Sequence, residues 1–190
     1  MQYGAVFPDG VSKYLKVYIT SGEDSVTGYL TDGGSAELTA NWMSAFEGDS
    51  LGSVAGESLS NATQAVTNTT SISRFNSLLV WNGSTPMTFN LPVYFQATAD
   101  ANLEVNAAIM ALSAMASPEL GDFTPMGRRP LPAILDIGRR IKIFDVVIQN
   151  VTYELDAPKT SDGFFTHNTV NLQITAMAVT NRSEMATLFI

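Results

Sequence analysis

Residues 85–97, TPMTFNLPVYFQA, alternate without a break. Met87, Phe89, Leu91, Val93 and Phe95 fall on one side, and Thr88, Asn90, Pro92, Tyr94 and Gln96 on the other. A period of two predicts a strand with one face in a core and a more polar face outside it. Pro92 has no N–H to give to a ladder, which predicts a sheet edge or a bulge on its side. The segment HNTVNLQITAMAV, 167–179, repeats the pattern through Val170, Leu172, Ile174, Ala176 and Ala178.

Shorter β-type runs surround these two. KYLKVYIT, 13–20, closes at Ser21-Gly22. Residues 26–41 read as two strands joined by a hairpin-type turn at Asp32-Gly33-Gly34. AILDI and RIKIFDVVIQNVTYEL supply further strands after a proline-rich connector, 118–132. The period changes once, over 100–118. Val105, Ala108, Ile109, Leu112, Met115 and Ala116 recur at helical spacing. Asp100 or Asn102 suits the cap, Glu104 suits the positive end, and Pro118 stops the helix. Packing on a sheet explains the helix's two methionines better than a cofactor box does.

These elements predict a β-rich α+β fold in a single domain, 1–190. It is an antiparallel barrel or sandwich of seven or eight strands with one packed helix. Residues 44–74 break the pattern, being mostly Ser, Thr, Asn, Gly and Ala, and predict an extended polar loop, a contact arm or a mobile segment. The segment EMATLFI places Leu188, Phe189 and Ile190 together, and such an apolar run predicts docking on its own core or on another subunit.

Charge adds an asymmetry. The net charge is −8, with 3 basic and 12 acidic residues before position 128 and 7 basic and 6 acidic from position 128 onward. Five of the ten basic residues lie in one stretch: Arg128, Arg129, Arg139, Arg140 and Lys142. An acidic molecule with one basic stretch suits contact between copies, while the plainer reading is a solvated face. The acidic balance argues against nucleic-acid binding. The N-terminal residues have no basic region leading into an apolar run, so no signal peptide is expected, and no apolar stretch is long enough for a membrane span. Five glycosylation sequons, at Asn61, Asn68, Asn82, Asn150 and Asn181, follow from an Asn/Ser/Thr-rich composition.

Candidate chemistry is thin. Gly48-Asp49-Ser50-Leu51 spells the opening of a serine esterase motif. A serine nucleophile needs an oriented base. His167 is the one histidine, and Phe164 stands where the esterase's paired aspartate belongs; the nearest upstream acid is Asp162. The preceding NWMSAFE does not read as a core strand. The chain has no cysteine, and its acids, such as Asp122, Asp136, Asp145 and Asp156, are scattered. No metal or cofactor is expected from these residues. His167 reads as a surface or strand-end residue. Trp42 and Trp81 read as core or interface anchors.

From Phe75 onward the text resembles baseplate proteins of contractile bacteriophage tails that share the tail-tube fold. The features are Trp81-Asn82-Gly83-Ser84 before a long alternating strand, Phe95-x-Ala97-x-x-Asp100, a helix ending Met115-Ala116-Ser117-Pro118, and a last strand entered through Gly163-Phe164. The resemblance covers residues 75–180 and implies a non-enzymatic virion protein made in the bacterial host cytoplasm. Such subunits form six-membered rings around a lumen that passes the genome without binding it specifically. Partners would be further copies, the tail tube protein and hub proteins. A tube initiator or tube-to-hub adaptor is expected ahead of the major tube subunit. Arg128, Arg129, Arg139, Arg140, Lys142, Leu188, Phe189 and Ile190 are the expected inter-subunit contacts. The readings from other classes are the esterase through Ser50 and a carbohydrate- or receptor-binding β module.

Overall fold

A computed structural model describes residues 1–44, 78–120 and 127–189 of the chain. It divides into a barrel unit, Met1–Leu38 with Pro86–Ile190, and a smaller unit, Thr39–Thr85.

The barrel unit is built on six antiparallel strands that close on themselves. These are β2 (Lys16–Ser21), β3 (Asp24–Leu30), β7 (Thr88–Gln96), β8 (Ala133–Ile137), β9 (Ile141–Thr152) and β10 (His167–Ala176). Their order is β3-β2-β8-β9-β10-β7, and the ring shuts where β3 meets β7 through Tyr29↔Tyr94 and Leu30↔Val93. β1 (Gln2–Gly4) lies parallel to β3, and β4 (Ser35–Glu37) antiparallel to β7.

The alternation in β7 and β10 is what fills this barrel. Phe89, Leu91, Val93 and Phe95 are buried, as are Val170, Leu172, Ile174 and Ala176 on the strand paired with them. Each such side chain removed from water contributes roughly 1.5–3 kcal/mol. Val17, Ile19, Val26, Leu135, Ile143, Val146 and Ile148 complete the lining. The helix opens with a π turn over Asn102–Asn106 and continues as α1, Ala107–Ala116. Its Val105, Ala108, Ile109 and Leu112 join the same core. A β-rich fold with one packed helix is therefore what the chain adopts, with the sheet closed as a barrel.

One predicted connection is different. β3 and β4 do not form a hairpin about Asp32-Gly33-Gly34. They run on in the same direction, both against one edge of β7. Gly33 takes a φ of +93°, so the chain bulges here instead of reversing. Pro92 explains the position of the bulge. Its carbonyl accepts from the N–H (3.1 Å) and the hydroxyl (3.0 Å) of Thr31. Its missing N–H points the same way, so an unbroken ladder could not form on that side. Of the sheet edge or bulge expected at Pro92, the chain adopts the bulge. The tight hairpin of this region is β2–β3, turning at Ser21–Asp24 with Gly22 at φ +58°.

In the smaller unit the described strands are one antiparallel pair, β5 (Ala40–Ser44) with β6 (Leu79–Ser84), in which Trp42 stands opposite Trp81. The expected polar loop 44–74 lies almost wholly outside the described residues, as does Ser50.

Candidate assembly surface

The residues that could carry a function gather at one end of the barrel. A 3-10 turn, Lys13–Leu15, precedes β2, with Ser12 accepting the N–H of Tyr14 at its start. The β8–β9 turn sits against it. The Gly138 N–H donates to the Lys16 carbonyl (2.9 Å), and a Cβ at Gly138 would stand 2.6 Å from the Tyr14 carbonyl. Only glycine allows that approach, and its φ of +59° suits it as well. Strand register does the rest. Lys16 stands opposite Tyr29, Tyr18 opposite Asp136, and Asp136 opposite Lys142.

Lys13, Lys16, Arg139, Arg140 and Lys142, half of the chain's ten basic residues, thus share one end. Each lies by an aromatic ring: Lys13 and Arg140 by Tyr14 (5.3 and 5.4 Å), Lys16 by Tyr29 (5.5 Å), Arg139 by Tyr18 (3.8 Å) and Lys142 by Phe144 (5.0 Å). Tyr14, Leu15 and Phe144 are more than half exposed. Exposed aromatic and arginine side chains together are the composition of interface anchors.

Two carboxylates hold this end from within. Asp9 accepts from Lys16 Nζ (2.7 Å), from the Tyr29 hydroxyl and from the Val11 N–H (2.9 Å). Burial works to raise the Asp9 pKa, but those donors and the Lys16 charge outweigh it and hold the value at about 2. Tyr29 is pushed up, first by burial and then by the Asp9 carboxylate. Asp136 accepts from the Arg139 N–H (3.0 Å) and from Arg139 Nη1 (2.7 Å).

The structure divides the sequence-predicted contacts. Arg139, Arg140 and Lys142 are together, and Phe189 joins them through an antiparallel bridge to Ile141. Phe189 is 57% exposed, while Leu188, at the end of the short helix α2 (Met185–Leu188), packs against the core. Ile190 lies outside the described residues. Arg128 and Arg129 are elsewhere, at the opposite end of β8, in a groove shared with Ser21, Asp24 and Glu119. The single basic stretch of the sequence is therefore two separate groups, because the five residues of β8 run between them. Lys13, Lys16, Tyr14 and Tyr18 went unselected in the sequence. The alternating cations and rings of Lys13-Tyr14-Leu15-Lys16-Val17-Tyr18 were the available signal.

A second exposed surface belongs to the β5–β6 pair. Trp42, Met43, Leu78, Leu79, Val80 and Trp81 are all between 41% and 62% exposed. Consecutive strand residues point to opposite sides, so both faces of the β5–β6 pair present apolar side chains.

His167 has Thr166 Oγ1 3.2 Å from its Nδ1 and its ring 6.0 Å from that of Tyr94. A catalytic histidine is oriented by a carboxylate; among the described residues the side-chain hydrogen-bond partner of this ring is the Thr166 hydroxyl. Among the described residues no group of three or more His, Cys, Asp or Glu is placed to hold a metal, and no helix is long and apolar enough to cross a membrane. The chain matches no protein-family model and no curated protein sequence.

Proposed function

We propose that this chain is a non-enzymatic structural subunit of a contractile phage tail or a related injection machine. It forms a ring at the baseplate that starts the tail tube or joins it to the hub. The exposed apolar surface of the β5–β6 pair is the observation that carries the self-assembly part of this reading. β5 and β6 expose tryptophan, methionine and leucine on both faces, and an apolar surface of that kind marks a contact site. Copies arranged in a ring cover it without leaving an open edge. The aromatic and basic end of the barrel supports a second contact, because an acidic chain attracts that end of its neighbour.

The tail-tube assignment rests on the resemblance of residues 75–180. The closed barrel with one helix is compatible with it. On this reading the partners are further copies, the tube protein and the hub, and the protein acts in the virion after synthesis in the host cytoplasm. The ring is expected to hold six copies.

Electron microscopy of the purified chain across a concentration series tests the proposal. Rings or stacks are expected. A monomer at every concentration would exclude it, and reaction of Ser50 with a fluorophosphonate probe would favour the esterase instead.

A further inference from the structure

We propose that the cleft over the outer face of β1, β3 and β2 receives a carboxylate side chain from a second copy of this chain, and that Arg139 is the residue that holds it. The inference rests on the ring reading for its occupant. The cleft holds about 220 Å³, and its polar lining is Gln2, Lys16, Tyr18, Ser25, Thr27 and Arg139. That volume admits the end of an acidic side chain with water around it.

Arg139 is held in place before any partner arrives. Its backbone N–H and its Nη1 are both bound by Asp136, at 3.0 and 2.7 Å, and its guanidinium lies 3.8 Å from the centre of the Tyr18 ring. The side chain is nevertheless 50% exposed. A guanidinium held at Nη1 and stacked on a ring keeps its planar fork fixed, and that fork matches a carboxylate in two bonds. The entropy of ordering a long side chain has been met within the subunit.

The backbone gives an independent reason to look here. Gly138 and Arg139 have φ values of +59° and +54° at the β8–β9 turn. Glycine or asparagine serves such a position at least strain, and arginine does not. A residue kept in a strained conformation at the mouth of a cleft points to a use for its side chain.

The charges are layered in the direction this requires. Asp9 and Asp136, with side chains 7% and 8% exposed, hold Lys16 and Arg139 from behind. Neither acid lines the cleft, and both cations do. With 18 acidic against 10 basic residues, each copy carries an excess of carboxylates to offer.

Sedimentation equilibrium of the full chain, wild type beside R139G and R139K, in 50 and 500 mM NaCl, tests this. Glycine suits the backbone at 139, so R139G removes the guanidinium without backbone strain but leaves Asp136 unpaired, and its thermal melt is read beside its association; R139K keeps a charge for Asp136 while losing the fork and the stack. At low salt, self-association is expected to weaken at least tenfold in R139G and severalfold in R139K. High salt should bring the wild type towards R139G. Association of R139G equal to wild type, or a wild type indifferent to salt, overturns the cleft assignment while leaving the ring intact. A wild type that stays monomeric overturns the ring reading and the occupant with it.

Discussion

The buried carboxylate of Glu104 accepts both the backbone N–H (2.7 Å) and the hydroxyl of Thr98. It also takes the N–H groups of Ala99 (2.8 Å) and Asp100 (2.9 Å), while Asp100 caps the helix by accepting from Asn102 and Leu103. One side chain thereby fixes the whole turn from β7 into the helix. Glu104→Gln keeps the shape but replaces two acceptor oxygens with one and loses the charge. A loss of about 2–3 kcal/mol is expected, from hydrogen bonds to a charged group. Urea unfolding of the two chains measures it.

Acid stability follows from the same carboxylate and from Asp9. Burial raises the Glu104 pKa, but the Thr98 hydroxyl and three backbone N–H groups outweigh it and hold the group below its ordinary value. Asp9 is held at about 2. A depressed carboxylate stabilises the fold above its unfolded pKa, and that contribution is lost as pH falls through the folded one. Stability should therefore be flat from neutral pH down to about 5 and then fall steeply towards pH 2. Asp9→Asn should flatten part of that fall and lower stability at pH 7 by about 2–3 kcal/mol, since Lys16 loses its partner. Thermal melts from pH 2 to 7 give both numbers. An unchanged acid limb in the variant would show that Asp9 does not stabilise the fold.

Gly28 carries the closure of the barrel. A Cβ there would stand 2.3 Å from Val93 Cγ1 and 2.9 Å from Phe95 Cε1, both fully buried on the strand that β3 must reach. Gly28→Ala is expected to cost about 2–3 kcal/mol, the cost of overpacking a filled core. At this chain length that lowers Tm by about 5–10 °C. Calorimetry checks it, and a melt within 1 °C or so of wild type would mean that the seam can relax.

The β5–β6 pair predicts a separation between folding and assembly. Trp42→Ser and Trp81→Ser should weaken ring formation by about thirtyfold or more each, as anchors at an interface centre do. The melting of the barrel core should stay within a few degrees of wild type, because neither tryptophan belongs to that core. Reversing Arg139 and Arg140 to Glu should weaken assembly by a different route, one sensitive to salt.

The sequence disclosed most where one local rule governed the outcome. Phe89 to Phe95 and Val170 to Ile174 alternate because a barrel wall has two sides, and they are buried as the alternation requires. Pro92 declared a bulge through its missing N–H. The route of β3 and β4 was not legible, because Gly33 at positive φ serves a bulge as readily as a reversal, and only the partner strand decides which. Nor was the basic end. Lys16 meets Gly138 through the pairing of β2 with β8, more than a hundred residues apart, and no local pattern records such a register. The same distance hid the division of Arg128 and Arg129 from Arg139 and Arg140, which are close in the text and parted by a strand.

The ring of six strands is fastened unevenly. β7 and β10 are joined over nine residue pairs, whereas β3 and β7 are joined over two, Tyr29↔Tyr94 and Leu30↔Val93. Beyond them the edges are occupied by the short strands β1 and β4. A cylinder with one brief fastening parts there first, so amide protons at 29–31 should exchange with solvent well before those of β10. Any force that unrolls this subunit would begin at that line and release a sheet with two free margins.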